Sequence, residues 1–224
     1  MNGRMVLLSL DFNLDNSSII FFIVFFFAKK ENVSRWNAYS YEIGEKKVTT
    51  NLFIQLGKDV RLQNFIVDDG YGRQKVVLTH ATQCRDKRPV LVLSERSLVS
   101  NIPVFIEKLL DDKKIEPVDF ALLREKSLQL HHFLLSDFKL KPMFILLNDN
   151  AANLMSRLRE RNRTGEEDLT EDYLNDLTQR YLRFYATLAA PSKIFDLTSY
   201  QKENNPLDLD LDALVEDIWN FVKI

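Results

Sequence analysis

Four arginines at alternate positions, Arg157, Arg159, Arg161 and Arg163, precede the acid pair Glu166 and Glu167. Alternate positions on a helix swing around its axis, so these groups cannot share one face. They either spread into solvent, as on an ordinary charged helix, or converge on something strongly anionic where the helix gives way to a loop. The guanidinium is a planar, permanently charged fork that suits phosphate oxygens. A second pair of charges, Glu95 and Arg96, follows the apolar run at 90–93. A lone Glu-Arg pair at a strand end is most often a structural ion pair. Two charged elements at one sheet edge instead suggest a site for a multiply charged phosphate ligand.

The elements that must position these groups alternate between short apolar runs and helical periodicity. Residues 90–93 and 143–147 are continuous apolar runs, as expected for central parallel strands, and 193–197 reads as a third. Helices are expected over 51–58, 104–110, 118–135, 153–161 and 212–222, with another opened by the Thr170 cap and its first-turn acids. Asp68-Asp69-Gly70-Tyr71-Gly72 reads as a turn-rich break within 60–73. Residues 19–28 are ten apolar residues in a row, fewer than the ~20 a membrane-spanning helix needs. β-Branched and aromatic residues dominate that run, which favours a buried strand over the apolar part of a signal peptide. The pattern predicts an α/β fold, a doubly wound parallel sheet flanked by helices, whose ligands gather at the carboxyl ends of the strands.

Composition narrows the function classes. The 224 residues carry a net charge of −2, which argues against a nucleic-acid partner, and no segment argues for a membrane one. One cysteine, Cys84, excludes an internal disulfide and a cysteine metal cluster, and fits a reducing compartment. His131 and His132 are adjacent and so diverge on a helix; no metal site is expected.

In order along the chain, Glu31-Asn-Val-Ser-Arg-Trp36, Asn51-Leu-Phe, Lys58-Asp59, Glu95-Arg96-Ser97, Phe105, Arg157, Arg161-Asn-Arg163, Glu166-Glu167 and Tyr173-Leu174 resemble the deoxynucleoside kinase family. This family includes deoxycytidine, deoxyguanosine and mitochondrial thymidine kinases. The resemblance runs from about Glu31 to the C-terminus. It implies a P-loop nucleoside-kinase fold that moves the ATP γ-phosphate, with Mg²⁺, to a deoxynucleoside 5′-hydroxyl. It also implies a possible homodimer through the long helices, and a cytoplasmic or mitochondrial protein. Glu31 matches the family's catalytic base and Arg96 the arginine that holds the reacting oxygens. Glu95 matches an acid at the sugar, Trp36 an aromatic lining the nucleoside pocket, and Phe105 the one that stacks on the base. Arg157, Arg161 and Arg163 match the lid arginines, and Glu166 or Glu167 a lid acid near the sugar. On plainer readings Trp36 and Phe105 are core residues and Glu31 a surface acid.

The departures matter as much. Asn32 stands where the family has proline, Gly57 where it has tyrosine, and Asn101 where some members have an acid. The family's base-reading Phe-Gln pair falls at Val67-Asp68 and its following arginine near Lys75. No Gly-x-x-x-x-Gly-Lys-Ser/Thr loop occurs in the chain, although phosphates in such folds are cradled by that loop's backbone N–H groups and lysine. The expected organisation is therefore an atypical segment over 1–30 and a deoxynucleoside kinase-like domain over 31–224. Two explanations stay open: a catalytically inactive relative with a nucleotide-binding or scaffold role, or a misassigned first exon.

Overall fold

The computed structural model describes residues 7–9, 19–25, 40–43, 46–49, 60–83, 90–95, 97–162, 166–203 and 205–222. Its strands are β1 (Leu7–Ser9), β2 (Ile19–Phe25), β3 (Ser40–Ile43), β4 (Lys46–Thr49), β5 (Val90–Glu95), β6 (Leu140–Asn148), β7 (Ser192–Asp196), β8 (Gln201–Lys202) and β9 (Asn205–Leu209). Five of them form one sheet in the order β1-β5-β2-β6-β7. β2 runs parallel to both β5 and β6, and β6 parallel to β7. Edge strand β1 is antiparallel to β5, so the sheet is mixed and not purely parallel as the sequence pattern suggested. The pairs β3–β4 and β8–β9 are small antiparallel additions. The helix expected over 51–58 lies outside the described residues.

Alternation along the central strands decides what covers each face. Val92, Phe144 and Leu146 turn to one side, where they join Val67 and Leu78 of α1 (Val60–Gln83). Leu91, Ile145 and Leu147 turn to the other. The first side is completed by α2 (Leu98–Asn101), a wider turn over Ile102–Ile106, α3 (Glu107–Asp111), α4 (Pro117–Phe138) and, beyond α5 (Ala151–Arg161), by α6 (Glu171–Ala186). The second is closed by Leu214 and Val222 of α7 (Leu211–Val222). Helices therefore cover both faces, and Ile145, Leu146 and Val92 are almost completely buried. Fully burying a side chain of this kind stabilises by roughly 1.5–3 kcal/mol.

The turn-rich reading of 60–73 is overturned: α1 is continuous through Gly70 and Gly72. Two glycines weaken a helix, but packing against the sheet overrides propensity. At Gly70 a Cβ would lie 3.5 Å from Leu98 Cδ2, an ordinary van der Waals contact, so α1 packs beside α2 without needing a glycine there. Lys126 of α4 ties the other side of α1, reaching Asp68 at 2.8 Å and Asn64 at 3.2 Å. Between α2 and α3 the chain widens into π-type bonding. Pro103 removes a donor from the ladder, and the Glu107 N–H reaches back to the Ile102 carbonyl.

A polar network fastens α3 to α6. Arg180, a buried residue, meets Asp111 at 2.6 Å and Asp176 at 3.2 Å, and Lys108 meets Asp176 at 3.0 Å and Asp112 at 3.1 Å. Burial pushes the Asp176 carboxyl up, but hydrogen bonds from Lys108 and Arg180 outweigh it and leave its pKa below the usual carboxylate value. Burial likewise opposes the charge on Lys108 and Arg180, and their carboxylate partners again win and raise both.

Two outcomes check this architecture. Because nothing lies within 4 Å of a Cβ placed on Gly72, Gly72→Ala should stabilise the protein by about 0.5–1 kcal/mol, a rise of a few degrees in Tm. A fall in Tm would restore the turn. The lowered pKa of Asp176 means that its contribution is present above the ordinary carboxylate range and is lost as pH falls through the folded value. The gap in urea midpoint between the protein and Asp176→Asn should thus be constant above about pH 5 and close on acidification below about pH 4. A gap independent of pH would remove Asp176's charge from the account.

Candidate functional site

Since β2, β5, β6 and β7 all run the same way, their carboxyl ends reach the same edge, at Phe25, Glu95, Asn148 and Asp196. The chain passes from one flank of β2 to the other between β5 and β6, so this edge includes the point where strand order reverses. Ligands of open α/β sheets bind at such a crevice.

Two helices begin at this edge, each with a side-chain cap. After β5 the Ser97 hydroxyl accepts the Ser100 N–H at 2.9 Å, and the Ser100 hydroxyl accepts the Ser97 N–H at 3.3 Å. Ser97 is buried in this reciprocal box, so its part in the Glu-Arg-Ser sequence is to start α2. Glu95 is the last residue of β5. Arg96, Glu31 and Trp36 lie outside the described residues. After β6, Asn150 caps α5 by accepting the Asn153 N–H at 2.8 Å.

Asp149, between β6 and that cap, is a site residue that the sequence reading missed. It is buried, and its Oδ1 accepts the Asn150 N–H at 2.9 Å and the Asn153 side-chain N–H at 2.8 Å. Its Oδ2 faces Arg157 Nη2 at 3.0 Å. That contact is close but poorly aligned for a hydrogen bond, and Asp149 Oδ2, Arg157 Nε and Arg157 Nη2 are buried atoms without a hydrogen-bond partner. The polar triplet Asn148-Asp149-Asn150, at the end of an apolar strand, was the available signal.

Beyond Arg157 the helix soon ends. Arg161 is the last residue of α5, and Asn162 follows with φ 46°, its N–H bonded to the Leu158 carbonyl at 3.1 Å. Asparagine tolerates this left-handed conformation better than most residues, which fixes where the helix stops. Arg163 lies outside the described residues. Glu166 and Glu167 resume beyond it and, with Met155, Leu158, Arg159, Asn162 and Leu169, line a shallow open depression. Among the described arginines, Arg157, Arg159 and Arg161 therefore belong to α5, which ends at Arg161.

On the other side of the edge, Phe105 lies in the π-type turn, half-buried, edge-on to Tyr181 of α6 at 6.2 Å between ring centres. Asn101 stands one turn earlier. Its Nδ2 and the Oε1 of Gln63 on α1 are buried with no hydrogen-bond partner. Gln74, also on α1, is buried and its amide donates to Ser94 Oγ at 3.4 Å, next to Glu95. No group of three or more His, Cys, Asp or Glu that could hold a metal ion is found among the described residues. No helix among them is long and apolar enough to cross a membrane.

Comparison with known proteins fits this geometry. The family model for deoxynucleoside kinases matches residues 27–222. No curated protein matches the chain. Among solved structures, a deoxyadenosine kinase from M. mycoides, with the products dCMP and a flexible dCDP bound, is 17% identical with a TM-score of 0.57. That match covers 91% of this chain and 97% of that one, and at such identity it speaks for the fold alone. A second structure of deoxyadenosine kinase from M. mycoides, with dCTP bound, is 16% identical over 88% of this chain and 99% of that one; its TM-score of 0.41 carries no argument. With its family model matched over most of its length, the chain belongs to the deoxynucleoside kinase family.

Proposed function

We propose that this chain is built to move the γ-phosphoryl group of ATP to the 5′-hydroxyl of a deoxynucleoside, in nucleoside salvage. We further propose that residues 31–224 are the kinase-like domain and that its four parallel strands, covered on both faces, are a doubly wound core. The family match over residues 27–222 carries this reading. The edge shared by β2, β5 and β6 supports it, as does the deoxynucleotide in the M. mycoides relative.

In this reading Glu31 takes the proton of the 5′-hydroxyl as the new O–P bond forms, and the β–γ bridging P–O bond breaks to release ADP. Arg96 holds the reacting oxygens, and Arg161 and Arg163 neutralise charge on the phosphates. Glu95 and Glu166 or Glu167 address the sugar, with Trp36 and Phe105 about the base. Arg157, which the resemblance places with the lid arginines, already faces Asp149 and is left out of the phosphate group. Phosphoryl transfer asks a protein for alignment and charge neutralisation more than covalent chemistry, which these residue types supply. Mg²⁺ is bound in such sites largely through the phosphates with one or two carboxylates, and no step here is assigned to it.

Losing one preorganised donor costs about a hundred- to a thousandfold in rate. With no Gly-x-x-x-x-Gly-Lys-Ser/Thr loop in the sequence, the chain as it stands is a very poor kinase or a nucleotide-binding relic. A scaffold role is the remaining alternative. A homodimer is part of the same proposal. Val118, Leu122 and Phe133 of α4 and Val76 of α1 are exposed on the pair of long helices. Leu122→Glu should convert a dimer to a monomer by light scattering, and a protein monomeric without the substitution sinks this part.

One pair of assays separates enzyme from relic. Fused to a loop-bearing N-terminal segment, the chain should phosphorylate deoxynucleosides, and Arg96→Ala or Glu31→Gln should each remove most of the turnover without unfolding it. Unchanged turnover in either variant overturns its role. The unmodified chain should bind deoxynucleoside triphosphate in about the millimolar to micromolar range, weakened by salt and by Arg161→Ala or Arg163→Ala, and release no ADP. Binding indifferent to both arginines refutes the relic, and ADP release shows a working kinase.

A further inference from the structure

We infer that Asp149 is a positioning residue: it holds Arg157 against the carboxyl end of β6, fixing the root of α5 and withdrawing that arginine from the charges offered to a phosphate ligand. The inference deepens the proposed function, resting on its view that α5 carries phosphate-facing arginines. It starts from an allocation of charge. The Asp149 side chain is fully buried, and a carboxylate in that position needs a compensating cation. Arg157 is the cation at hand, 3.0 Å away and itself only 21% exposed.

The three contacts of Asp149 reach different depths of one helix. The Asn150 N–H lies at its cap, the Asn153 side chain in its first turn, and Arg157 one turn further on. One carboxylate therefore grips α5 over about half its length, leaving Arg161 and Asn162 at the far end. The poor alignment of the Arg157 contact does not weaken this, because charge compensation at 3 Å depends far less on angle than a hydrogen bond does. Arg157 is thereby drawn to a partner in the scaffold, although spacing and residue type make all four arginines look alike.

The test uses the full chain, thermal melting, and calorimetric titration with inorganic tripolyphosphate at low salt. Arg157→Met strands the buried carboxylate, so Tm should fall by about 5–10 °C while tripolyphosphate affinity stays within about twofold. The double variant Asp149→Asn/Arg157→Met should recover most of that Tm, because the amide keeps the acceptor for Asn150 and Asn153 but carries no charge. Asp149→Asn alone releases the guanidinium, so affinity should rise about three- to tenfold, with a steeper salt dependence, and the rise should vanish in the double variant. A purely structural role for Asp149 moves Tm but not this Arg157-dependent gain.

Two results overturn the inference: Arg157→Met weakening tripolyphosphate binding fivefold or more at unchanged Tm, or a double variant no more stable than Arg157→Met. Should Arg157→Met fail to fold, a folded double variant supports the pairing and an unfolded one overturns it. An unmodified chain that binds no tripolyphosphate refutes the phosphate reading of α5, and the melting comparison then decides the Asp149–Arg157 pair by itself.

Discussion

Parallel strands covered on both faces must be apolar on both faces, and they bring every strand end to one edge. Residues 144–147 alternate between two cores, Phe144 and Leu146 into one, Ile145 and Leu147 into the other. No position in that run can carry a charge without a large desolvation cost. Polar chemistry is confined to the segments just past the strand ends: Asn148-Asp149-Asn150 at the end of β6, and Glu95 with its neighbours at the end of β5. The same burial that stabilises the sheet places its reactive groups, and β2 between β5 and β6 puts the reversal of strand order at the middle of that edge.

Several charges among the described residues are paired. Arg180 and Lys108 are held by three aspartates between α3 and α6, Lys126 by Asp68, and Arg73 by Asp69. Of these, the exposed pairs of Lys126 and Arg73 contribute little each, about 0–1 kcal/mol. In a chain of net charge −2, local imbalance decides where positive charge gathers, and over 157–163 four arginines stand against one acid, Glu160. The buried Arg180 cluster acts differently. It sets the distance between α6 and the π-type turn that carries Phe105, with Phe105 against Tyr181 as the apolar half of the joint.

Much of the framework was legible. Strands β5 and β6 were readable because runs such as Val90-Leu-Val-Leu93 have no polar position to spare, and Thr170 announced α6 because its hydroxyl takes the Tyr173 N–H. The reading of 60–73 failed where tertiary packing overrode local chemistry. Asp-Asp-Gly-Tyr-Gly is turn-like alone, yet Val67, Gln74 and Leu78 bury one side of a continuous helix. Wider bonding at Ile102–Ile106 was equally hidden, since Pro103 signals a missing donor but not how the ladder will adapt. In the site, residue types could be matched to roles, but pairing could not: nothing in the spacing from 149 to 157 shows that a buried aspartate waits for an arginine two turns along. Glu31, Trp36, Arg96 and Arg163 rest on resemblance alone.

For the arginine cluster, the consequence is a gradient of constraint along a single helix. At its root α5 is capped by Asn150, gripped by Asp149, and packed through Ala151, Leu154 and Met155 against Leu174 of α6. Past Leu158 the apolar contacts stop, and the chain leaves the helix at the left-handed Asn162. Functional groups are held best when the element that carries them is itself rigid. Arg157, near the root, is drawn to the scaffold through Asp149. The run that first stands out in the sequence by its alternate spacing thus sets Arg157 3.0 Å from the buried Asp149 and carries Arg161 as the last residue of α5.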